Sequence, residues 1–145
     1  MIVRGIEERD HASWRALFID YGVFYKTAFD DTVLDGVWTW LVDPAHEVQA
    51  IVAVQDDAIV GFAHYRRLFD TFTAAPAWFL DDLYVTPEAR GIGAATSLIE
   101  AVAAEANAKG GGTLRWITAD DNLTAQSVYD KVATRATWVT YEKET

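Results

Sequence analysis

Three groups of residues in this chain carry reactive chemistry. Asp81 and Asp82 sit side by side within the otherwise apolar run Trp78 to Val85. Aspartate is disfavoured in strands, and a carboxylate taken out of water is costly unless it is paired. Desolvation and mutual repulsion raise the proton affinity of at least one member of such a pair, which suits a general base. A solvated strand end, or a salt bridge to Arg66 or Arg67, is the competing structural account. The second group is the turn Arg90-Gly91-Ile92-Gly93-Ala94-Ala95. Small residues there let the backbone turn tightly and approach a ligand, and N–H groups at a helix start favour an anion such as a diphosphate. Glycine for loop geometry alone explains the same residues. The third is Tyr129, which shares one helical face with Ala125, Val128 and Val132. A phenol with a pKa near about 10 can give up a proton, although a core tyrosine with a satisfied hydroxyl has the same pattern.

Two familiar phosphate-binding signatures do not fit the turn. A P-loop requires Gly-x-x-x-x-Gly-Lys-Ser/Thr, and a dinucleotide fingerprint requires a third glycine where Thr96 stands.

The elements that must position these residues are legible from periodicity. Ile2 to Ile6 predicts a strand. Asp10 opens a helix with Trp14, Leu17, Phe18, Tyr21 and Phe24/Tyr25 on one face. Asp30-Asp31 caps a second helix that stops before Asp43-Pro44. Glu47 to Val54 and Ala58 to Leu68 form a hairpin around Gln55-Asp56-Asp57, Phe69 to Ala75 is a loop, and Trp78 to Val85 is a central strand. An Ala-rich helix follows from Gly93 to Lys109 and ends at three glycines. Thr113 to Thr118 is a strand, Asp121-Asn122 caps a helix to Val132, and Trp138 to Tyr141 is a last strand. The order β-α-α-β-β-β-α-β-α-β gives an α/β fold: one domain over 1–145, its mixed, mostly antiparallel sheet covered by helices on both faces.

Arg90-x-x-Gly93-x-Ala95 resembles the Arg/Gln-x-x-Gly-x-Gly/Ala signature of the GNAT N-acetyltransferase superfamily. Leu83-Tyr84-Val85-Thr86-Pro87-Glu88-Ala89 is similar to that family's strand-to-turn lead-in. Asn122-Leu123-Thr124-Ala125, followed by Tyr129-Asp130-Lys131, resembles its Asn-x-x-Ala-x-x-x-Tyr-x-Lys motif about 30 residues on. Leu80-Asp81-Asp82-Leu83-Tyr84-Val85, Tyr129-Asp130-Lys131-Val132-Ala133 and Tyr141-Glu142-Lys143 point to a branch similar to the yeast histone and polyamine acetyltransferase. One departure is Thr137-Trp138, where the family usually has Gly-Phe.

The resemblance implies a GNAT fold and transfer of an acetyl group from acetyl-CoA, as cosubstrate, to an amine. It implies cofactor contacts from Leu83, Tyr84 and Val85, from Arg90, Gly91, Ile92, Gly93, Ala94 and Ala95, and from Asn122 and Tyr129. Asn122 also caps its helix. Tyr129 would be the acid that protonates the leaving thiolate. Asp81 shares strand parity with Leu83 and Val85, whose backbone would border the acetyl group, so Asp81 is the expected base and Asp82 orients the acceptor or makes a structural bond. A bulge would upset that parity. Tyr21, Tyr25 and Trp38 lie on the two helices where this family builds its acceptor pocket, and their ring faces suit an ammonium, although core packing competes. The resemblance further suggests a homodimer.

Composition bounds the partners. The formal charge of −10 and the lack of Lys/Arg clusters argue against nucleic acid; an acidic surface would instead gather small cations, or serve solubility alone. No apolar run reaches the roughly 20 residues that span a bilayer. There is no cysteine, so thiolate metal sites and disulfides are excluded, and His11, His46 and His64 have no ligand spacing, so no metal is expected. A cytoplasmic location is the default. The leading expectation is acetylation of a small cationic amine, a polyamine or an amino acid. Acetylation of a protein N-terminus or lysine, and a non-catalytic acyl-CoA-binding module, are the alternatives.

Overall fold

Asp30 opens the second helix because its carboxylate accepts the Val33 N–H at 3.0 Å. Asp56 and Asp57 both take positive φ, 51° and 63°, and so turn the tightest hairpin in the chain. From such local choices the computed structural model, which describes residues 1–145, builds five strands and four α-helices. They are β1 (Ile2–Gly5), α1 (His11–Phe24), α2 (Asp31–Leu41), β2 (Val48–Gln55), β3 (Ala58–Asp70), β4 (Ala75–Val85), α3 (Ala94–Ala108), β5 (Leu114–Arg115) and α4 (Leu123–Val132).

The strands form one sheet in the order β1-β2-β3-β4-β5. The first four are antiparallel and β5 joins β4 in parallel, so the sheet is mixed and mostly antiparallel, as expected. Each face carries its own core. On one side Leu98, Ile99, Val102 and Ala106 of α3 pack on Ala63, Tyr65, Trp78 and Leu80. On the other, Trp14, Leu17 and Phe18 of α1, with Leu34 and Leu41 of α2, pack on Ala50, Val52 and Phe62. No helix is long and apolar enough to cross a membrane.

Two features of the sheet shape the site. The β4–β5 ladder is only Trp78↔Leu114 and Phe79↔Arg115, so beyond Phe79 one backbone edge of β4 has no strand partner. Across β3–β4, His64 pairs with Asp82 while Tyr65 pairs with Leu80, which leaves Asp81 as an extra residue in a β-bulge.

Several boundaries differ from the sequence expectation. β3 and β4 extend to Asp70 and from Ala75, so the expected loop narrows to the four residues 71–74. The strand expected over Thr113 to Thr118 is only Leu114–Arg115. The last strand, Trp138 to Tyr141, does not form, and Trp138, Val139 and Tyr141 face solvent. A strand requires a partner backbone, and a two-residue β5 offers almost no edge to extend.

Candidate active site

The bulge sets the acidic pair. Strict alternation would put Asp81 beside Leu83 and Val85, which pack toward α3. The extra residue cancels that alternation, so Asp81 and Asp82 both lie on the face covered by α1 and α2. Their partners show this: Asp81 accepts both of its bonds from Nε of Arg66, at 2.9 and 3.0 Å, and Asp82 meets Nδ1 of His64 at 2.9 Å. Arg66 and His64 are two residues apart on β3 and so share a face with Phe62. Burial pushes the Asp81 carboxyl above the usual carboxylate range, with Arg66 opposing.

The turn before α3 is built by conformation. Gly91 and Gly93 have φ of +85° and +82°, a region that side-chain-bearing residues rarely enter. A Cβ at either position would meet no atom within 4 Å, so crowding is not the reason for glycine. Gly93 is the N-cap of α3, whose first-turn N–H groups have no acceptor within the helix. Arg90 folds back, its Nε donating to the Val85 carbonyl at 3.1 Å and its guanidinium lying 5.8 Å from the Tyr84 ring. That contact ties the turn to the end of β4.

Between the turn, the free edge of β4, α4 and α1 lies a cleft of about 580 Å³. Its lining includes Leu83, Tyr84 and Val85, Arg90, Gly91, Gly93, Ala94 and Ala95, Asn122 and Tyr129, and from α1 Tyr21 and Tyr25. Most residues singled out from sequence therefore meet at one place. Ile92 does not line it and is 45% exposed. Trp38 does not reach it either: it stacks on His11 with centroids 4.4 Å apart and packs on Trp14 at 5.2 Å. Asp81 and Asp82 lie outside the lining, beneath the α1 wall.

Tyr129 stands edge-on to Trp116, centroids 5.5 Å apart, and burial pushes its phenol up to about 12, with Tyr25 adding a smaller push. Asn122 caps α4 by accepting the Ala125 N–H at 3.2 Å. On the α1 wall Tyr21 and Tyr25 are 4.9 Å apart, and burial followed by the negative charge of Asp82 raises both phenols. That shared influence puts Asp82 within electrostatic reach of the cleft wall.

Sequence reasoning passed over Phe24, Thr96, Thr124 and Ser127, which also line the cleft. Phe24 follows from helix phase once Tyr21 is placed, whereas Thr96, Thr124 and Ser127 lie near the N-terminal ends of α3 and α4. It also treated His64 as an ordinary residue, and no sequence signal sets it opposite Asp82, because the strand register does that.

The arrangement joins a glycine turn at a helix N-terminus, an unpaired strand edge, a tyrosine phenol and an aromatic wall backed by Asp82. Such a site can hold an extended phosphate-bearing molecule beside a cation and move a proton between them.

Comparison with known proteins agrees. The model of the Acetyltransferase (GNAT) family matches residues 11–133. The chain is 30% identical over 145 residues to the D-amino-acid N-acetyltransferase of Saccharomyces cerevisiae, covering 99% of this chain and 90% of that protein. Among solved structures, the ribosomal-protein-alanine N-acetyltransferase of Brucella melitensis superposes with a TM-score of 0.85 at 23% identity, covering 99% of each chain. An aminoglycoside N-acetyltransferase in complex with CoA superposes with a TM-score of 0.84 at 22% identity, covering 99% of this chain and 93% of that one. At these identities the structural likeness establishes the fold.

Proposed function

The chain belongs to the GNAT acetyltransferase family, and we propose that it transfers the acetyl group of acetyl-CoA directly to a primary amine of a small cationic molecule, a polyamine or an amino acid. The observation that carries this reading is the single cleft in which the glycine turn and Tyr129 face two tyrosines backed by Asp82.

The residues present fit the cosubstrate. The positive-φ glycines and the first turn of α3 suit its diphosphate, and the unpaired backbone of Leu83 to Val85 suits its amide-bearing arm. Tyr129 and the α1 wall would flank the thioester. The amine nitrogen adds to the thioester carbonyl carbon, the C–S bond breaks, and the proton lost from nitrogen needs an acceptor. Arg66 occupies both oxygens of Asp81, so the geometry favours Asp82 as the carboxylate that takes up the ammonium and its proton. Asp81 keeps the Arg66 charge neutralised beside it. The Tyr129 phenol, protonated throughout the working range, donates to the departing sulfur.

Tyr21, Phe24 and Tyr25 line the acceptor side, and their ring faces support a small cationic acceptor. The homodimer suggested by family resemblance and the cytoplasmic location taken as the default belong to the same proposal. A thiol-release panel with acetyl-CoA and polyamines, D- and L-amino acids, and peptides tests it. Release with a polyamine or an amino acid is the expected result. Release with peptides alone overturns the acceptor class, and acetyl-CoA binding without release from any amine makes the chain a binding module.

A further inference from the structure

Beneath the α1 wall lies a buried histidine that the proposed reaction does not use. His64 is 2% exposed, in the middle of β3. Both ring nitrogens are engaged: Trp14 Nε1 donates to Nε2 at 2.9 Å, and Nδ1 lies 2.9 Å from Oδ2 of Asp82. An indole N–H can only donate, so Nε2 is the acceptor and the ring proton sits on Nδ1, where it donates to Asp82. The ring cannot easily turn away. Phe62 lies 4.6 Å from it, and Phe18 stands edge-on at 5.0 Å.

We propose that His64 is a positioning residue for the acceptor amine: Trp14 fixes its tautomer, and its Nδ1–H holds one oxygen of Asp82 so that the second is presented toward Tyr21 and the incoming ammonium. The inference rests on Asp82 being the acceptor carboxylate. It assigns work to residues on three elements, α1, β3 and β4, and explains why a polar ring occupies an otherwise apolar core. A half-satisfied imidazole there would be costly.

The groups facing Asp82 are Tyr21 and Tyr25 from α1, His64 and Arg66 from β3, and Asp81 beside it on β4. Of these, His64 holds Oδ2 of the carboxylate, with Nδ1 at 2.9 Å. Loss of that donor removes a hydrogen bond to the ionised carboxylate, so the acidic limb of the pH–rate profile moves to higher pH.

The test compares His64→Gln, His64→Asn and Trp14→Phe with Asp82→Asn. Glutamine can still accept from Trp14 but does not reach Asp82, whereas the asparagine amide can stand where Nδ1–H stood. His64→Gln is expected to lower kcat/KM for the amine by about 10- to 100-fold and to move the acidic limb to higher pH. Acetyl-CoA affinity stays unchanged. His64→Asn restores most of the loss, and Trp14→Phe moves the limb part of the way. A folded His64→Gln or Trp14→Phe protein with the wild-type limb overturns the inference. If Asp82→Asn itself keeps that limb, the assignment of Asp82 fails as well. If Asp82→Asn abolishes the limb while His64→Gln leaves it in place, only the role of His64 is lost.

Discussion

Tyr129 has a neutral, half-buried phenol edge-on to Trp116 and facing the cleft. Its proton affinity is raised to about 12, chiefly by burial. The sign matters for its role. A raised phenol is protonated at every working pH, so it is always available as a donor, and it loses its proton only as pH rises through about 12. Tyr129→Phe removes the hydroxyl while leaving the ring that packs on Trp116. We expect kcat to fall by about 100-fold, within the usual range for a positioned acid, with acetyl-CoA affinity and melting temperature nearly unchanged. The wild-type profile should also show no basic limb from this group below pH 10. Equal kcat in wild type and variant would remove Tyr129 from the chemistry.

At the scale of elements, the turn between β4 and α3 holds Gly91 and Gly93 at positive φ. Alanine at Gly93 meets no steric obstacle but must adopt a left-handed backbone, at a cost of about 1–2 kcal/mol. The turn can relieve that strain by relaxing, which turns its N–H groups away from the ligand. Gly93→Ala is therefore expected to weaken acetyl-CoA binding by about tenfold, read by calorimetry, with only a small drop in melting temperature. Unaltered binding would show that the turn is glycine-rich for loop geometry alone. This turn was readable in the sequence, as were the caps at Asp30 and Asn122, because each depends on residues a few positions apart. The bulge at Asp81 was not readable: no glycine or proline marks it, and it arises only from how β3 and β4 pair. That one residue decides which face the acidic pair serves, and it also brings His64 opposite Asp82. The unformed strand at Trp138 to Tyr141 has the right composition, but a strand also needs an edge, and edges are a property of the whole sheet.

Over the whole molecule, 22 acidic residues outnumber 12 basic ones, for a net charge of −10. Such a surplus attracts cations from a distance set by screening. Between about 0.01 and 0.1 M ionic strength the screening length shrinks from about 30 Å to about 10 Å, so most of the protein's field is lost to an approaching substrate over that interval. A polyamine carries several positive charges and is drawn by the whole field. A zwitterionic amino acid has no net charge and is drawn by the local carboxylate alone. If the acceptor is a polyamine, its kcat/KM should fall about tenfold across that salt range while kcat holds, since the field acts on encounter rather than on bond breaking. An amino acid acceptor should show a change of less than about twofold over the same range. Measured side by side, the two salt slopes separate the two acceptor classes by a property of the protein as a whole. A polyamine turned over with a flat salt dependence would mean that the acidic surface serves solubility and that selection of the amine rests with Tyr21, Tyr25 and Asp82.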